Sequence, residues 1–351
     1  MPTTYAIPDG RTVMAATLWT GNGSTQSISN AVNGVSFQPD LVWYKSRSNS
    51  GYDHYWIDSV RGVLKWIGSS STSGELTIAN SLTSFNSNGF TLGSDAGGNQ
   101  NTLTYVGWQW KAGGAAVTNT AGSITSQVSA NTTAGFSVVT FTGNATAGST
   151  VGHGLSVAPQ FVIYKGRNNG NDWWSYHVGL TSAAYAIQLN TTNAQNNTVN
   201  FFNSTAPNSS VLTLGYWSNA TGFNNSGVNY VAYCFAPVAG YSAFGSYTGN
   251  GSTDGPFVYL GFRPRFILTK ATQQASQWFI WDSARSEYNA ANDCLFPESS
   301  QAETANNSAL DVDFLSNGFK IRNTGSGQNN STYPYIYMAF CENPFKFANA
   351  R

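Results

Sequence analysis

The sequence predicts an all-β protein of three tandem antiparallel β-sandwich domains, on three observations. First, one nine-residue pattern occurs three times: Phe37-Gln38-Pro39-Asp40-Leu41-Val42-Trp43-Tyr44-Lys45, then Val157-Ala158-Pro159-Gln160-Phe161-Val162-Ile163-Tyr164-Lys165, then Phe262-Arg263-Pro264-Arg265-Phe266-Ile267-Leu268-Thr269-Lys270. Second, aromatic residues make up 14% of the chain and charged residues only 9%, with Asn, Ser, Thr and Gly between the apolar runs, which is the composition of strands joined by turns. Third, no window keeps a 3.6-residue apolar period for three turns, so little helix is expected. The repeated prolines stand roughly 105 to 120 residues apart, the size of an ordinary sandwich domain. The expected division is a docking arm at 1–12, repeats at 13–113, 134–238 and 239–351, and a connector at 114–133 that adds an edge strand around 123–128. The third repeat ends in a C-terminal tail.

In the repeated strand, proline opens a run that needs no donor at its first position. Alternation puts Leu41 and Trp43, Phe161 and Ile163, Phe266 and Leu268 on one face, read as the core side. The opposite face, Val42 and Tyr44 with their counterparts, is expected to be half covered. Lys45, Lys165 and Lys270 close the strand and are expected to lay their stems on apolar surface with the ammonium in water. About a dozen residues later come Trp56-Ile57-Asp58-Ser59-Val60-Arg61, Trp173-Trp174-Ser175-Tyr176-His177 and Trp278-Phe279-Ile280-Trp281-Asp282-Ser283-Ala284-Arg285. Asp58, His177 and Asp282 are equivalent. Since the second copy has Leu180 in place of the arginine, the Asp-x-x-Arg spacing reads as a strand-end ion pair worth under about 1 kcal/mol. Each copy closes on an aromatic strand: Tyr105 to Trp110, Tyr230 to Phe235, Tyr335 to Phe340. Asn88-Gly89 and Asn317-Gly318 supply hairpin turns before two of them.

Sixteen basic and sixteen acidic residues give no net charge and no basic cluster, which argues against nucleic-acid or anionic-membrane binding. The segment from Met1 to Tyr5 shows no basic n-region leading into an apolar stretch, and no run approaches a membrane span, so cytoplasmic synthesis and release by lysis are expected. Cys234, Cys294 and Cys341 have no Cys-x-x-Cys spacing and read as buried thiols. His54, His153 and His177 read as structural, so neither a metal nor a cofactor is expected. Glycan cleavage needs paired carboxylates. The second copy has Asp172 alone, leaving Asp53, Asp58 and Glu75, or Asp282, Glu287 and Asp293, as the only groupings, and no enzyme is expected.

Residues 150–159 (Thr-Val-Gly-His-Gly-Leu-Ser-Val-Ala-Pro), the strand after them and Trp173-Trp174-Ser175-Tyr176-His177 resemble a repeat of virion proteins of tailed bacteriophages, tail-fibre and appendage proteins among them. The connector 129–139, the end Ala339-Phe340-Cys341-Glu342-Asn343-Pro344-Phe345-Lys346 and the Thr-Gly-Asn turns at 20–22, 142–144 and 248–250 look like the same family. The resemblance implies a jelly-roll, lectin-like β-sandwich on a virus particle and carries no catalytic residues. The expected function is therefore a virion structural protein, an exposed fibre, spike or appendage acting in host attachment. The alternatives are a capsid decoration or head-fibre protein, a free lectin, and last a glycan depolymerase. Surplus tryptophans point to a homotrimer, and the arm and tail to docking on other virion proteins. A host glycan is expected to meet Asn168, Asn169, Asn171, Asp172, Trp173 and Trp174, with Gln273, Gln274, Gln277 and Trp278, or Asn49, Tyr52 and His54, at equivalent places: aromatic faces for sugar rings and amides for hydroxyls.

Overall fold

The computed structural model describes residues 4–219 and 222–344. The first repeat contributes β1 (Met14–Thr20), β2 (Gln26–Ser29), β3 (Leu41–Ser46), β4 (Tyr55–Asp58), β5 (Lys65–Gly68), β6 (Leu76–Thr77), β7 (Leu82–Asn86), β8 (Gly89–Leu92) and β9 (Thr104–Trp110). The connector supplies β10 (Val117–Asn119) and β11 (Ser126–Asn131). The second repeat follows with β12 (Phe136–Thr142), β13 (Thr150–Gly152), β14 (Phe161–Gly166), β15 (Trp174–His177), β16 (Tyr185–Gln188), β17 (Asn196–Asn197), β18 (Val211–Thr213) and β19 (Asn229–Phe235). The third has β20 (Ser242–Thr248), β21 (Phe257–Tyr259), β22 (Phe262–Ala271), β23 (Trp278–Asp282), β24 (Val312–Leu315), β25 (Gly318–Ile321) and β26 (Pro334–Pro344).

Every ladder between these strands is antiparallel, and each repeat follows one plan. Its large sheet runs β1-β9-β3-β4-β5-β6 in the first repeat, β10-β11-β12-β19-β14-β15-β16-β17 in the second and β20-β26-β22-β23 in the third. A small sheet lies beside each: β2-β8-β7, β13-β18 and β21-β25-β24. The chain is all-β, but these sheets are open, with end strands in every one, so the expected tandem β-sandwich or jelly roll is not the fold. The fold implied by the resemblance to phage fibre proteins is overturned with it. The repeats also share a core. Trp43, Trp56, Trp108 and Trp110, Phe161, Trp173, Tyr233 and Phe235, and Phe266, Trp278, Met338 and Phe340 all belong to one buried cluster.

Registers show how three sheets meet at an axis. Trp110 pairs with Leu41, Phe235 with Phe161 and Phe340 with Phe266, so the three rings are equivalent. Their centroids form a triangle with sides of 6.1, 5.6 and 5.9 Å. The face read as the core side therefore points to this central core. The face expected to be half solvated is buried too, beneath its own small sheet: Val42 and Tyr44 with Phe90, Val162 and Tyr164 with Leu212, Ile267 with Phe319. A repeat with two buried faces reads as near-continuous hydrophobic strand rather than clean alternation. The arm joins the same centre through Ile7, while the tail beyond Pro344 lies outside the described residues.

The Thr-Gly-Asn turns are structural. Gly21, Gly143 and Gly249 lie so close to a facing carbonyl, of Gln100, Asn225 and Asn330, that a Cβ would approach it to 2.2, 2.3 and 2.2 Å. The amides of Asn22, Asn144 and Asn250 donate to the side-chain oxygens of Asn99, Asn224 and Asn329, all buried. The hydroxyls of Tyr105, Tyr230 and Tyr335 accept from the amides of Gln100, Asn225 and Asn330, pinning the same loops.

Candidate functional site

The expected ligand residues gather at the seams between repeats, and they divide into a buried and an exposed part. Trp173 is fully buried against Trp56, its Nε1 donating to the Gly68 carbonyl of the first repeat at 2.8 Å. Trp278 is its counterpart, donating to the Gln188 carbonyl of the second repeat at 2.9 Å. Trp174 faces the opposite way into the outer core of its repeat, on Phe201. The rings meant for sugar stacking are thus inside the protein, because both strand faces are covered. Asp172 accepts from Gln188 and Asn190, and Gln274 accepts from Asn330 and donates to the Ser326 carbonyl. Gln277 is half-buried and Gln273 exposed. In the first repeat His54 is buried and accepts from Trp43 Nε1, Tyr52 donates to Gln100, and Asn49 gives its carbonyl to Lys45.

Asn168 is exposed and Asn169 half-buried; with Gly74, Glu75, Leu76, Arg167 and Gly170 they line an open groove of about 330 Å³ between the first and second repeats. Asn171 is buried, its side-chain oxygen accepting from Lys165 Nζ at 3.1 Å and from the Gly166 amide at 3.0 Å.

That lysine corrects the snorkelling expectation. Lys45, Lys165 and Lys270 are all fully buried. Lys165 donates to the Thr72 carbonyl of the first repeat at 3.1 Å and to the Asn171 carbonyl at 2.8 Å. Lys270 donates to the Thr192 carbonyl of the second repeat at 3.0 Å and to Ser276 at 2.7 Å. Lys45 holds the carbonyls of Ser46 and Asn49. Each ammonium thus fastens its own strand-end loop, and two of the three also fasten the loop of the repeat before.

Two residues past each lysine the seam closes on the surface. The amides of Glu75, Gln195 and Glu303 donate to the carbonyls of Arg167, Thr272 and Arg47, so that the third repeat returns to the first and the ring is complete. Arg47 forks onto Glu303 and Arg167 onto Glu75. At the remaining seam Thr272 faces Gln195, whose amide turns back to Thr181.

The Asp-x-x-Arg pairs are also seam elements, and the expected exposed strand-end bridge is corrected. Asp58 and Arg61, like Asp282 and Arg285, have completely buried side chains. Asp58 accepts from Tyr233 of the second repeat at 2.9 Å, and Asp282 from Trp108 Nε1 of the first at 3.0 Å. Arg61 continues to Glu75 and Arg285 to Glu303. In the second repeat the equivalent His177 bonds through Nε2 to the Tyr337 carbonyl of the third, at 3.0 Å. Its Nδ1 accepts from the Gly179 amide, which assigns the proton to Nε2. The residue equivalent to Trp108 and Tyr233 in the third repeat is Met338, which has no proton to offer an aspartate; a donor in place of an acceptor keeps the seam satisfied.

These residues belong to a family. The chain is a member of the family described as a domain of unknown function, DUF7483, which matches residues 10–344. No curated protein and no solved structure matches it. The DUF7483 match spans all three repeats and begins at the 3-10 turn Gly10–Thr12, so the closed ring of repeats lies within the family's own limits.

Burial sets the electrostatics. It lowers the lysine pKa values to about 8 for Lys45, about 7 for Lys165 and about 8 for Lys270, with Asp53, Asp172 and Glu298 partly opposing it. Burial likewise holds His177 down at about 4. Burial raises the carboxyl pKa of Glu75, but hydrogen bonds and charge from Arg167 and Arg61 outweigh it and leave Glu75 below the usual range. A lysine whose pKa is lower when folded binds fewer protons than in the unfolded chain, so stability rises with pH across that interval. The melting temperature of this DUF7483 protein is therefore expected to climb from about pH 6.5 to about pH 8.5. Glu298, raised by burial to about 8, works against the trend up to that pH, and above the window the buried thiols do, since burial pushes Cys234 up to about 12 while unfolded thiols ionise. Lys165→Met should flatten the climb, and an unchanged slope in this variant would show that Lys165 does not contribute to it.

Of the acids considered for glycan cleavage, Asp58, Glu75 and Asp282 are committed to arginines, Asp53 accepts from Ser70, and Asp293 accepts from the Asn306 amide. Glu287 is exposed. The seam chemistry was partly legible in sequence as Lys45-x-Arg47 and Lys165-x-Arg167; their partners Glu75 and Glu303 carry no local signal, because they come from another repeat.

Proposed function

We propose that this chain is a non-enzymatic structural component of a larger assembly, exposed on a phage particle and acting in attachment through its loops and sheet edges. The observation that carries this reading is the use of the repeated side chains. Lys165 and Lys270, both Asp-Arg pairs with the equivalent His177, and Trp173 and Trp278 all join one repeat to another, as the parts of a rigid scaffold do. What is left at the surface is mostly polar and poor in charge, with apolar exceptions such as Val117, Tyr259 and Tyr288. Such a body suits presentation of loops.

The homotrimer expected from surplus aromatics loses that ground, since those rings are internal. Three copies of one motif already surround an axis within a single chain. A glycan-binding role draws support from the amide-lined groove at Asn168 and Asn169 rather than from any stacking platform.

Immunogold labelling of intact particles with antibody to the purified chain tests the reading. Label on the particle surface, whether on head or tail, is expected. Bare particles with all antigen in the soluble fraction would make the free glycan-binding protein the better account.

A further inference from the structure

The geometry points to the open edge of β21, in the third repeat, as a docking site for an extended strand from a partner protein. The small sheets begin with equivalent strands: Ile28 of β2, Val151 of β13 and Val258 of β21 pair with Phe90, Leu212 and Phe319 and point into the outer cores. The backbone groups of the residues on either side then face the opposite edge, because alternate residues of an antiparallel strand bond to alternate sides. These flanking residues are Ser27 and Ser29, Thr150 and Gly152, Phe257 and Tyr259.

In the second repeat this edge is already occupied. Residues 122–126 of the connector lie along β13, with a parallel bridge between Ile124 and Val151. The Ile124 amide donates to the Thr150 carbonyl at 2.9 Å, and Ser126 Oγ to the Gly152 carbonyl at 3.0 Å. The amides of Ser123 and Thr150 each donate to the other's hydroxyl at 2.9 Å. Gly122 lies so near that a Cβ would come within 2.3 Å of the Thr150 carbonyl. The fold thus takes an added strand at this position, and the chain displays the chemistry that fits: glycine, small hydroxyl side chains and one aliphatic residue that becomes buried.

In the first repeat the same edge is, among the described residues, bare and polar, both serines being exposed. In the third, among the described residues, it is bare and aromatic. Phe257 is 46% exposed and Tyr259 58%, on the end strand of the sheet. Exposed edges are ordinarily blunted by charge, proline or polar residues. An unclaimed edge is where strand addition takes place, with backbone bonds giving affinity and side chains giving selectivity. The occupant is an extended Gly/Ser/Thr-rich segment with one aliphatic residue, running parallel to β21 as residues 122–126 run along β13. This inference goes beyond the assembly reading and stands on the edge geometry alone.

The probe is a synthetic peptide with the chain's own sequence 120–128, Thr-Ala-Gly-Ser-Ile-Thr-Ser-Gln-Val, added to the full-length protein. Saturable binding is expected, with new hydrogen-exchange protection of the Phe257 and Tyr259 amides. The double substitution F257S/Y259S, which gives this strand the first repeat's residues, should weaken binding about tenfold or more with no fall in melting temperature. The reciprocal variant S27F/S29Y should gain a second peptide site at β2, and it keeps the test open if the first variant folds poorly. Absence of binding, binding indifferent to F257S/Y259S, or protection confined to β13 would overturn the inference. Light scattering without peptide is expected to give the mass of one chain. A dimer that F257S/Y259S dissociates would assign the edge to a second copy instead.

Discussion

Trp110→Ala is expected to lower the unfolding free energy by about 3 to 5 kcal/mol, the range for deleting a large buried aromatic, and to do so for all three repeats at once. Trp110 is completely buried and its ring touches Phe235 of the second repeat and Phe266 and Phe340 of the third. Removing it opens a cavity at the point where the three sheets converge, not in a private core of the first repeat. Equilibrium denaturation followed by tryptophan fluorescence and by far-ultraviolet circular dichroism should give one coincident transition, shifted as a whole. Hydrogen exchange should show amides of β19 and β26 losing protection along with those of β9. A loss below about 1 kcal/mol, or opening limited to the first repeat, would mean that the repeats are energetically independent.

Asp282→Ala should cost a similar amount, about 3 to 5 kcal/mol, for a different reason: it leaves the Arg285 guanidinium buried without its closest counter-charge and Trp108 Nε1 without an acceptor. Replacing both partners by apolar residues, as in D282L/R285M, should recover much of the loss, because two desolvated charges are removed together while Glu303 keeps Arg47. The pair also has a pH signature. Burial raises the Asp282 carboxyl pKa, but the charge and hydrogen bonds of Arg285, with Trp108, prevail and hold it below the ordinary range. A carboxyl depressed in the folded state stabilises above its unfolded pKa near 4, and that contribution disappears as the pH falls through the folded value. Acid unfolding of the intact protein should therefore be steeper than that of D282L/R285M. Equal acid midpoints and slopes would show that the pair does not contribute. Thermal melts from about pH 2 to about pH 6 measure both.

Some of this was written locally. Strand positions followed from Leu41-Val42-Trp43-Tyr44 and its two repeats, because β-rich apolar runs bounded by Pro, Asn and Gly leave little choice of local structure. The equivalence of Asp58, His177 and Asp282 was equally legible from spacing alone. So was the character of the cysteines as buried residues, which the structure bears out for all three. Shared parity also placed Trp43, Ile163 and Leu268 on one face of their strands.

What lay beyond that face was decided only in three dimensions. The alternation of a strand says which residues lie together, not whether the space opposite holds water, a small sheet or another repeat. Hence Trp173, which suits a sugar platform by sequence, fills a seam against Trp56, and Lys165, which suits a strand end in water, reaches the Thr72 carbonyl of a different repeat. A buried ammonium needs acceptors in place of water, and those acceptors come from a loop some ninety residues earlier in the chain. The sequence by itself determined three copies of one strand plan. The tertiary structure decided that they close into a ring of open sheets rather than standing as three sandwiches, since each repeat has two apolar faces and only its neighbours can cover the second.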